Sequence, residues 1–178
     1  GLTNALLRSL LKYEIPEAPD EHTPIDYTAQ YYSHPQWLMN KWISEGSFED
    51  ALALAEWNNK APQLWFRVNS IKYTATKFKN YLKKNKIEFE QFSHLKNFFA
   101  PKTSAGFLLN SDLFKEGNIS IQDPAGGLVV TLLDPQKGDT ILDGCSAPGG
   151  KTAFIAELMK NKGKILAYDK SQERLRRL

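Results

Sequence analysis

Residues 141–152 read ILDGCSAPGGKT, and how this stretch is understood decides the fold. Residues 140–143 are apolar enough for a short buried strand. From residue 151 to about 160, Phe154, Ile155, Leu158 and Met159 recur at helical spacing. Gly163 turns the chain, and KILAYD over residues 164–169 makes a second strand that ends in Asp169. Strand, helix and strand in that order predict a βαβ unit, the opening of a doubly wound α/β sheet. Such sheets bind ligands beyond the carboxyl ends of their strands, where this loop lies.

Three chemistries compete for the loop: a phosphate cradle, a catalytic thiol at Cys145, and the floor of another cofactor site. The phosphate cradle fails on spacing. A G-x-x-x-x-G-K-[ST] loop ending at Gly150-Lys151-Thr152 needs a glycine at 145, where Cys145 stands; Gly144 is one residue early. Gly144, Gly149 and Gly150 also miss the G-x-G-x-x-G intervals. The loop does offer close approach to main chain, because Pro148 fixes a turn and Gly149 and Gly150 carry no side chain. Asp169 is placed to accept both hydroxyls of a ribose, and Asp143 adds a second acid beside the loop. An acidic site without a phosphate cradle suits a cationic nucleoside, and S-adenosylmethionine has that character. The plain alternative is a structural strand–turn–helix with a polar surface aspartate.

The rest of the chain is that of a globular protein. Hydrophobic residues at 42% and charged residues at 24% allow a buried core. No apolar run approaches the roughly 20 residues of a membrane span, and no membrane association is expected. The start lacks the pattern of a secretory signal. One cysteine excludes an internal disulfide and a cysteine zinc site, which suits a reducing cytoplasm. His22, His34 and His94 are scattered without metal spacing, so no metal site is expected.

Charge is unevenly spread. Between Lys60 and Lys102 ten basic residues face two acids, although the whole chain carries only +3. That asymmetry points to a polyanion, or else to a solvated lysine face. The opening LTNALLRSLLKY has a helical period, and EIPEAPDEHTPIDYTAQ reads as a linker. A helix follows with Ser33 as cap, Pro35 in its first turn, and Trp37, Leu38 and Trp42 as its apolar stripe. Ser47 and Asp50 open the next helix with a box-like start, and Pro62 ends that unit. LWFRVNSI is a strand with Arg67 and Asn69 on one face. TATKFKNYLKKNKIEF is a helix with lysines opposite Phe78, Tyr81 and Leu82, and strand-like pieces follow near residues 89–92 and 97–99. Residues 119–122 form a short strand, then Asp123 caps a helix with Pro124 at its first position, running to about Leu133. Gly126 and Gly127 weaken that helix, so another group is expected to approach closely there.

The stretch LDGCSAPGGKT resembles the signature D-x-C-[AS]-A-P-G-G-K-T of the Sun/Fmu-type RNA cytosine-5 methyltransferases. SHPQWLMNKWI, EWNNKAP, LWFRVNSIK and EGNISIQDPAGGLVV stand in the order expected of members that act on small-subunit ribosomal RNA. The resemblance covers roughly residues 33–178. It implies three segments. Residues 1–32 would be the end of an antitermination-factor-like helical domain plus linker. Residues 33–117 would be a basic α+β RNA-binding extension, with Arg67, Asn69, Lys72, Lys83 and Lys84 toward RNA. Residues 118–178 would begin a Rossmann-like methyltransferase domain. Cys145, Ser146, Ala147, Pro148, Gly149, Gly150 and Lys151 would line the S-adenosylmethionine, and Asp169 would hold its ribose. The implied reaction methylates cytosine C5 after a cysteine thiolate adds to C6. The family's catalytic cysteines are expected beyond Leu178, and Cys145 belongs to the cofactor loop. The chain alone is therefore expected to be inactive, with Ile141, Leu142, Ile165 and Leu166 partly uncovered. A transfer-RNA methyltransferase and a non-catalytic RNA-binding module are the alternatives, and no protein partner is implied.

Overall fold

A computed structural model describes residues 2–13, 16–102 and 105–176. Two residues of the expected linker, 14 and 15, lie outside the described residues, as does Leu178. The chain divides into two compact units, Gly1–Pro62 and Gln63–Leu178. No helix among the described residues is long and apolar enough to cross a membrane.

The first unit is helical. Helix α1 (Leu2–Leu10) buries none of its residues. Helices α2 (Ile25–Tyr31), α3 (Gln36–Glu45) and α4 (Phe48–Asn59) close around Ala29, Tyr32, Met39, Ala51 and Ala55. Helix α2 falls inside the expected linker. Pro24 ends the extended segment before it, and Thr28, Ala29 and Tyr32 then reach the core at helical spacing. Ser33 does not cap α3: its φ of 56° turns the chain after α2, and Pro35 takes the N-cap position. Trp37, expected in the apolar stripe, is 67% exposed, and Met39 fills the core instead. The box at the start of α4 is as expected. The Asp50 amide donates to Ser47 Oγ at 3.0 Å, and the Ser47 amide donates to Asp50 Oδ2 at 3.2 Å.

The second unit begins with strand β1 (Phe66–Val68) and helix α5 (Ala75–Lys84). Strands β2 (Phe89–Gln91) and β3 (Phe98–Pro101), short helices α6 (Gly106–Leu109) and α7 (Asp112–Lys115), and strand β4 (Ile119–Ile121) follow. The sheet order is β2-β3-β1-β4 with every neighbour antiparallel, the topology of a split βαβ repeat. Strand alternation gives the sheet two different faces. Phe66, Val68 and Phe99 meet Phe78 and Leu82 of α5, Leu108 and Ile119 in one core. Phe98 points the other way, into a second core made with Val130, Phe154, Ile155 and Met159.

Those last residues come from helix α8 (Pro124–Leu133) and helix α9 (Gly150–Leu158), with Met159 just after it. Asp123 caps α8 by accepting from the Ala125 amide at 2.7 Å. Strands β5 (Thr140–Asp143) and β6 (Lys164–Ala167) pair in parallel on either side of α9 in sequence, and helix α10 (Gln172–Leu175) ends the described chain. The βαβ expectation therefore holds. Ile141 and Ile165 are packed against the second core, whereas Leu142 is 66% exposed. Strand β4 was expected to open the methyltransferase segment at residue 118. It pairs with β1, Phe66 opposite Ile121 and Val68 opposite Ile119, and Ile119 is buried in the core under α5. The compact division falls after Pro62, inside the segment expected over residues 33–117.

Alternation also sends Arg67 into the second core. It is 1% exposed, and its Nη1 donates to the carboxylate of Glu157 on α9, itself 3% exposed. Arg67 Nε donates to Gln122 Oε1 at 2.6 Å and Nη2 to Ser120 Oγ at 3.3 Å. The guanidinium lies 4.8 Å over the Phe154 ring. The other Glu157 oxygen accepts the Ser70 amide at 3.1 Å. Arg67 was expected to face RNA; at 1% exposure, with Nε, Nη1 and Nη2 each donating inside the core, it does not present its charge to solvent.

Two stability outcomes follow. Glu157→Gln leaves the Arg67 charge buried without a counter-charge and should cost about 3–5 kcal/mol, read as a lower urea midpoint. The double change Arg67→Met with Glu157→Leu should recover most of that loss. In α8, a Cβ at Gly127 would overlap the Phe98 ring and Leu95, so Gly127→Ala should lower the midpoint by about 1–3 kcal/mol. Gly126 has only Gln122 Nε2 nearby, at 3.7 Å, and Gly126→Ala should raise stability by up to about 1 kcal/mol.

Candidate cofactor loop and basic surface

The loop between β5 and α9 is tied to the end of β6 through main chain. The Tyr168 amide donates to the Asp143 carbonyl at 2.8 Å. The Ser146 amide and hydroxyl both donate to the Tyr168 carbonyl, at 2.9 and 3.0 Å. The Ala147–Pro148 peptide is cis. Gly149 has φ of 111°, a left-handed conformation that a side chain would strain, and it caps α9. Its amide donates to the Ser146 carbonyl at 2.7 Å, closing the bend. Residues Cys145 to Lys151 are thus held in one turn, with Cys145 and Pro148 exposed and Ser146 and Ala147 buried.

The two acids beside the loop have different environments. Asp143 is buried, and its own loop occupies both oxygens: Thr152 Oγ1 donates to Oδ2 at 2.7 Å and the Cys145 amide to Oδ1 at 3.3 Å. It organises the turn. Asp169 is partly exposed at the end of β6. The Ser171 amide donates to its Oδ1 at 2.9 Å and the Ala147 amide to its Oδ2 at 3.1 Å. Arg174 Nη2 donates to the Ala147 carbonyl at 2.8 Å, which brings a positive charge close by. The Ser171 amide first, then the Ala147 amide and the charges of Arg174 and Lys170, hold the Asp169 carboxyl below its ordinary value against the opposing pull of burial. Asp169 is therefore ionised at neutral pH, and each oxygen keeps acceptor capacity. Among the described residues, no group of three or more His, Cys, Asp or Glu could hold a metal ion.

The basic surface is smaller than the sequence suggested. Arg67 is excluded by burial. Asn69 shapes a turn, its Nδ2 donating to the Gly117 carbonyl at 3.2 Å and its Oδ1 accepting the Ile71 amide at 3.1 Å. Lys72 is exposed, with Nζ donating to the Glu116 carbonyl at 2.7 Å. Lys83 and Lys84 are exposed in the last turn of α5. Sequence reasoning missed Gln122 and Glu157, the buried partners of Arg67. The signal for Glu157 was present: an acid inside the apolar run AFIAELM.

Residues 34–98 match the Methyltr_RsmF/B-like, ferredoxin-like domain, and residues 130–178 match the 16S rRNA methyltransferase RsmB/F family. The probable ribosomal RNA small subunit methyltransferase B of Bacillus subtilis (strain 168) is 34% identical, over 95% of this chain and 37% of that protein. The ribosomal RNA small subunit methyltransferase B of Vibrio vulnificus (strain YJ016) is also 34% identical, over 100% of this chain and 40% of that protein. The crystal structure of a methyltransferase homolog protein from Pyrococcus horikoshii superposes with a TM-score of 0.76 at 28% identity, covering 86% of this chain and 50% of that one. The chain thus spans 37–40% of the length of these curated relatives. An antiparallel split-βαβ sheet thus runs into a βαβ loop of the APGGKT type, and the two segments match, in order, the ferredoxin-like and methyltransferase parts of the RsmB/F family.

Proposed function

We propose that this chain is the RNA-binding and cofactor-loop segment of an enzyme that methylates cytosine C5 in small-subunit ribosomal RNA, in the cytoplasm, with S-adenosylmethionine as methyl donor. The observation that carries the reading is Asp169. It is an ionised carboxylate fixed by two amides at the carboxyl end of β6, beside a bend in which Gly149 takes a left-handed conformation and Gly150 opens α9. These residues fit an adenosyl sulfonium: the carboxylate accepts the ribose hydroxyls, and its charge suits a cationic ligand. Cys145 to Lys151 line the bound molecule, which supplies an electrophilic methyl group. The residues of this chain hold and orient it. The names of the relatives, each a small-subunit ribosomal RNA methyltransferase B, support the RNA substrate. Lys72, Lys83 and Lys84 supply positive charge for its backbone.

Two experiments on the protein containing this chain test the reading. Calorimetric titration with S-adenosylmethionine should show Asp169→Ala binding roughly tenfold more weakly than the parent, through loss of charge-assisted hydrogen bonds. An unchanged dissociation constant removes Asp169 from the site. Because its folded pKa lies below the ordinary 3.8, the contribution of Asp169 to loop stability is present above that value and lost as pH falls through the folded pKa. Affinity for small-subunit ribosomal RNA should fall steeply with salt, and the slope should shrink when Lys83 and Lys84 become Ala. A flat salt response returns those lysines to a solvated face. Bisulfite sequencing should then find one cytosine of that RNA protected only when the enzyme is present.

A further inference from the structure

On the outer side of the antiparallel sheet three aromatic rings form a near-parallel column. Phe78 of α5 is fully buried. Tyr81 follows it, with ring centroids 6.4 Å apart and planes 11° from parallel. Phe107 of α6 continues the column, 6.2 Å from Tyr81 at 29°, and is 51% exposed. The series starts in the core and ends at solvent, so Phe107 packs against a ring that itself packs against a buried one. Beside that end lies an open cleft of about 610 Å³, lined by Tyr81, Phe107, Asn110, Asp112 and Glu116 among others. It is large enough to admit a nucleobase with its sugar.

The charges around the column are arranged in two sets. Lys77 and Lys84 stand four residues before and three after Tyr81, on the same face of α5, and both are exposed. Asp112 and Glu116 line the cleft itself. Carboxylates there repel a phosphate but not a neutral base, whose exocyclic amine they can accept. The lysines put positive charge on the same helix that carries Tyr81.

We infer that Phe107, backed by Tyr81, is a stacking platform for an unpaired base of the RNA, with Lys77 and Lys84 holding the flanking phosphates. The inference rests on the reading of this chain as RNA-binding. Aromatic stacking tolerates any base because every base has a π-face, and it requires a single strand.

The test is fluorescence anisotropy of this chain with a labelled single-stranded RNA of about 12 nucleotides, the same strand carrying abasic sites, and a duplex of equal length. Phe107→Ala should weaken binding to the intact strand about tenfold and leave the abasic strand and the duplex unchanged. Phe107→Trp should bind as the parent does. Equal affinity of Phe107→Ala and parent for the intact strand overturns the platform. So does an equal loss on all three RNAs, which would mean that the ring acts through the fold. If Phe107→Ala binds normally while Lys83→Ala with Lys84→Ala loses affinity, the RNA reading stands and the platform falls. If the parent binds none of the three RNAs, both fall.

Discussion

The buried pair between Arg67 and Glu157 is the constraint on which the second unit depends. A guanidinium has only donors, so its pocket must supply acceptors. Glu157, Gln122 and Ser120 do so from α9, from the turn before α8 and from β4. Three elements of the chain therefore meet at one side chain of β1. Replacing a buried ion pair by apolar groups often leaves stability unchanged or raises it, so its use is better sought in register than in strength. Here the register matters because α9 begins at Gly150, inside the candidate cofactor loop. Fixing Glu157 fixes the helix whose first turn forms the floor of the bend. The Gln122 amide shows the same constraint. Its oxygen must face Arg67, and Nε2 is left toward Gly126 and Gly150, buried and without a hydrogen-bond partner among the described residues.

Local pattern carried much of this structure. The strand–helix–strand around the loop, the Ser47–Asp50 box, the Asp123 cap and the short strands near residues 89 and 98 each depend on neighbours within a few positions. What local pattern missed depends on partners far away. Arg67 and Asn69 were expected on one strand face, but Asn69 lies past the end of β1, and which face of the strand was wet could not be read locally. The answer is Glu157, ninety residues later. Strand β4 was similarly assigned by proximity to the segment that follows it, whereas its partner β1 lies about fifty residues before. Helix α2 was hidden by prolines and acids that precede it. Its buried contacts are with α3 and α4, and those contacts outweigh its weak propensity. Trp37 shows the reverse error, since an aromatic at helical spacing need not be inside when Met39 already fills the space.

The two aspartates beside the loop show how environment separates identical side chains. Asp143 sits at 6% exposure and gives its acceptor capacity to Thr152 and the Cys145 amide, so it shapes the bend from below. Asp169 receives one amide on each oxygen and remains partly open to solvent. The Ala147 amide that binds Asp169 belongs to the residue whose carbonyl is held by Arg174. Loop, carboxylate and α10 are therefore one hydrogen-bonded unit, and the carboxylate is oriented before any ligand arrives. Preorganisation of this kind lowers the ordering cost of binding.

The same sheet separates that site from the basic surface. Alternation along β1 puts Phe66 and Val68 under α5, with its exposed lysines, and puts Arg67 under α9, with its loop. No side chain of β1 need touch either ligand for the two layers to be held in fixed relation. A three-residue strand, buried on both faces and hydrogen-bonded on both edges, has no freedom to tilt toward one layer without disturbing the other. An RNA strand held on the α5 side would thus lie at a set distance from a cofactor held on the α9 side. A methyl transfer between two separately bound molecules needs that geometry, because misplacement by about 1 Å can cost two orders of magnitude in rate.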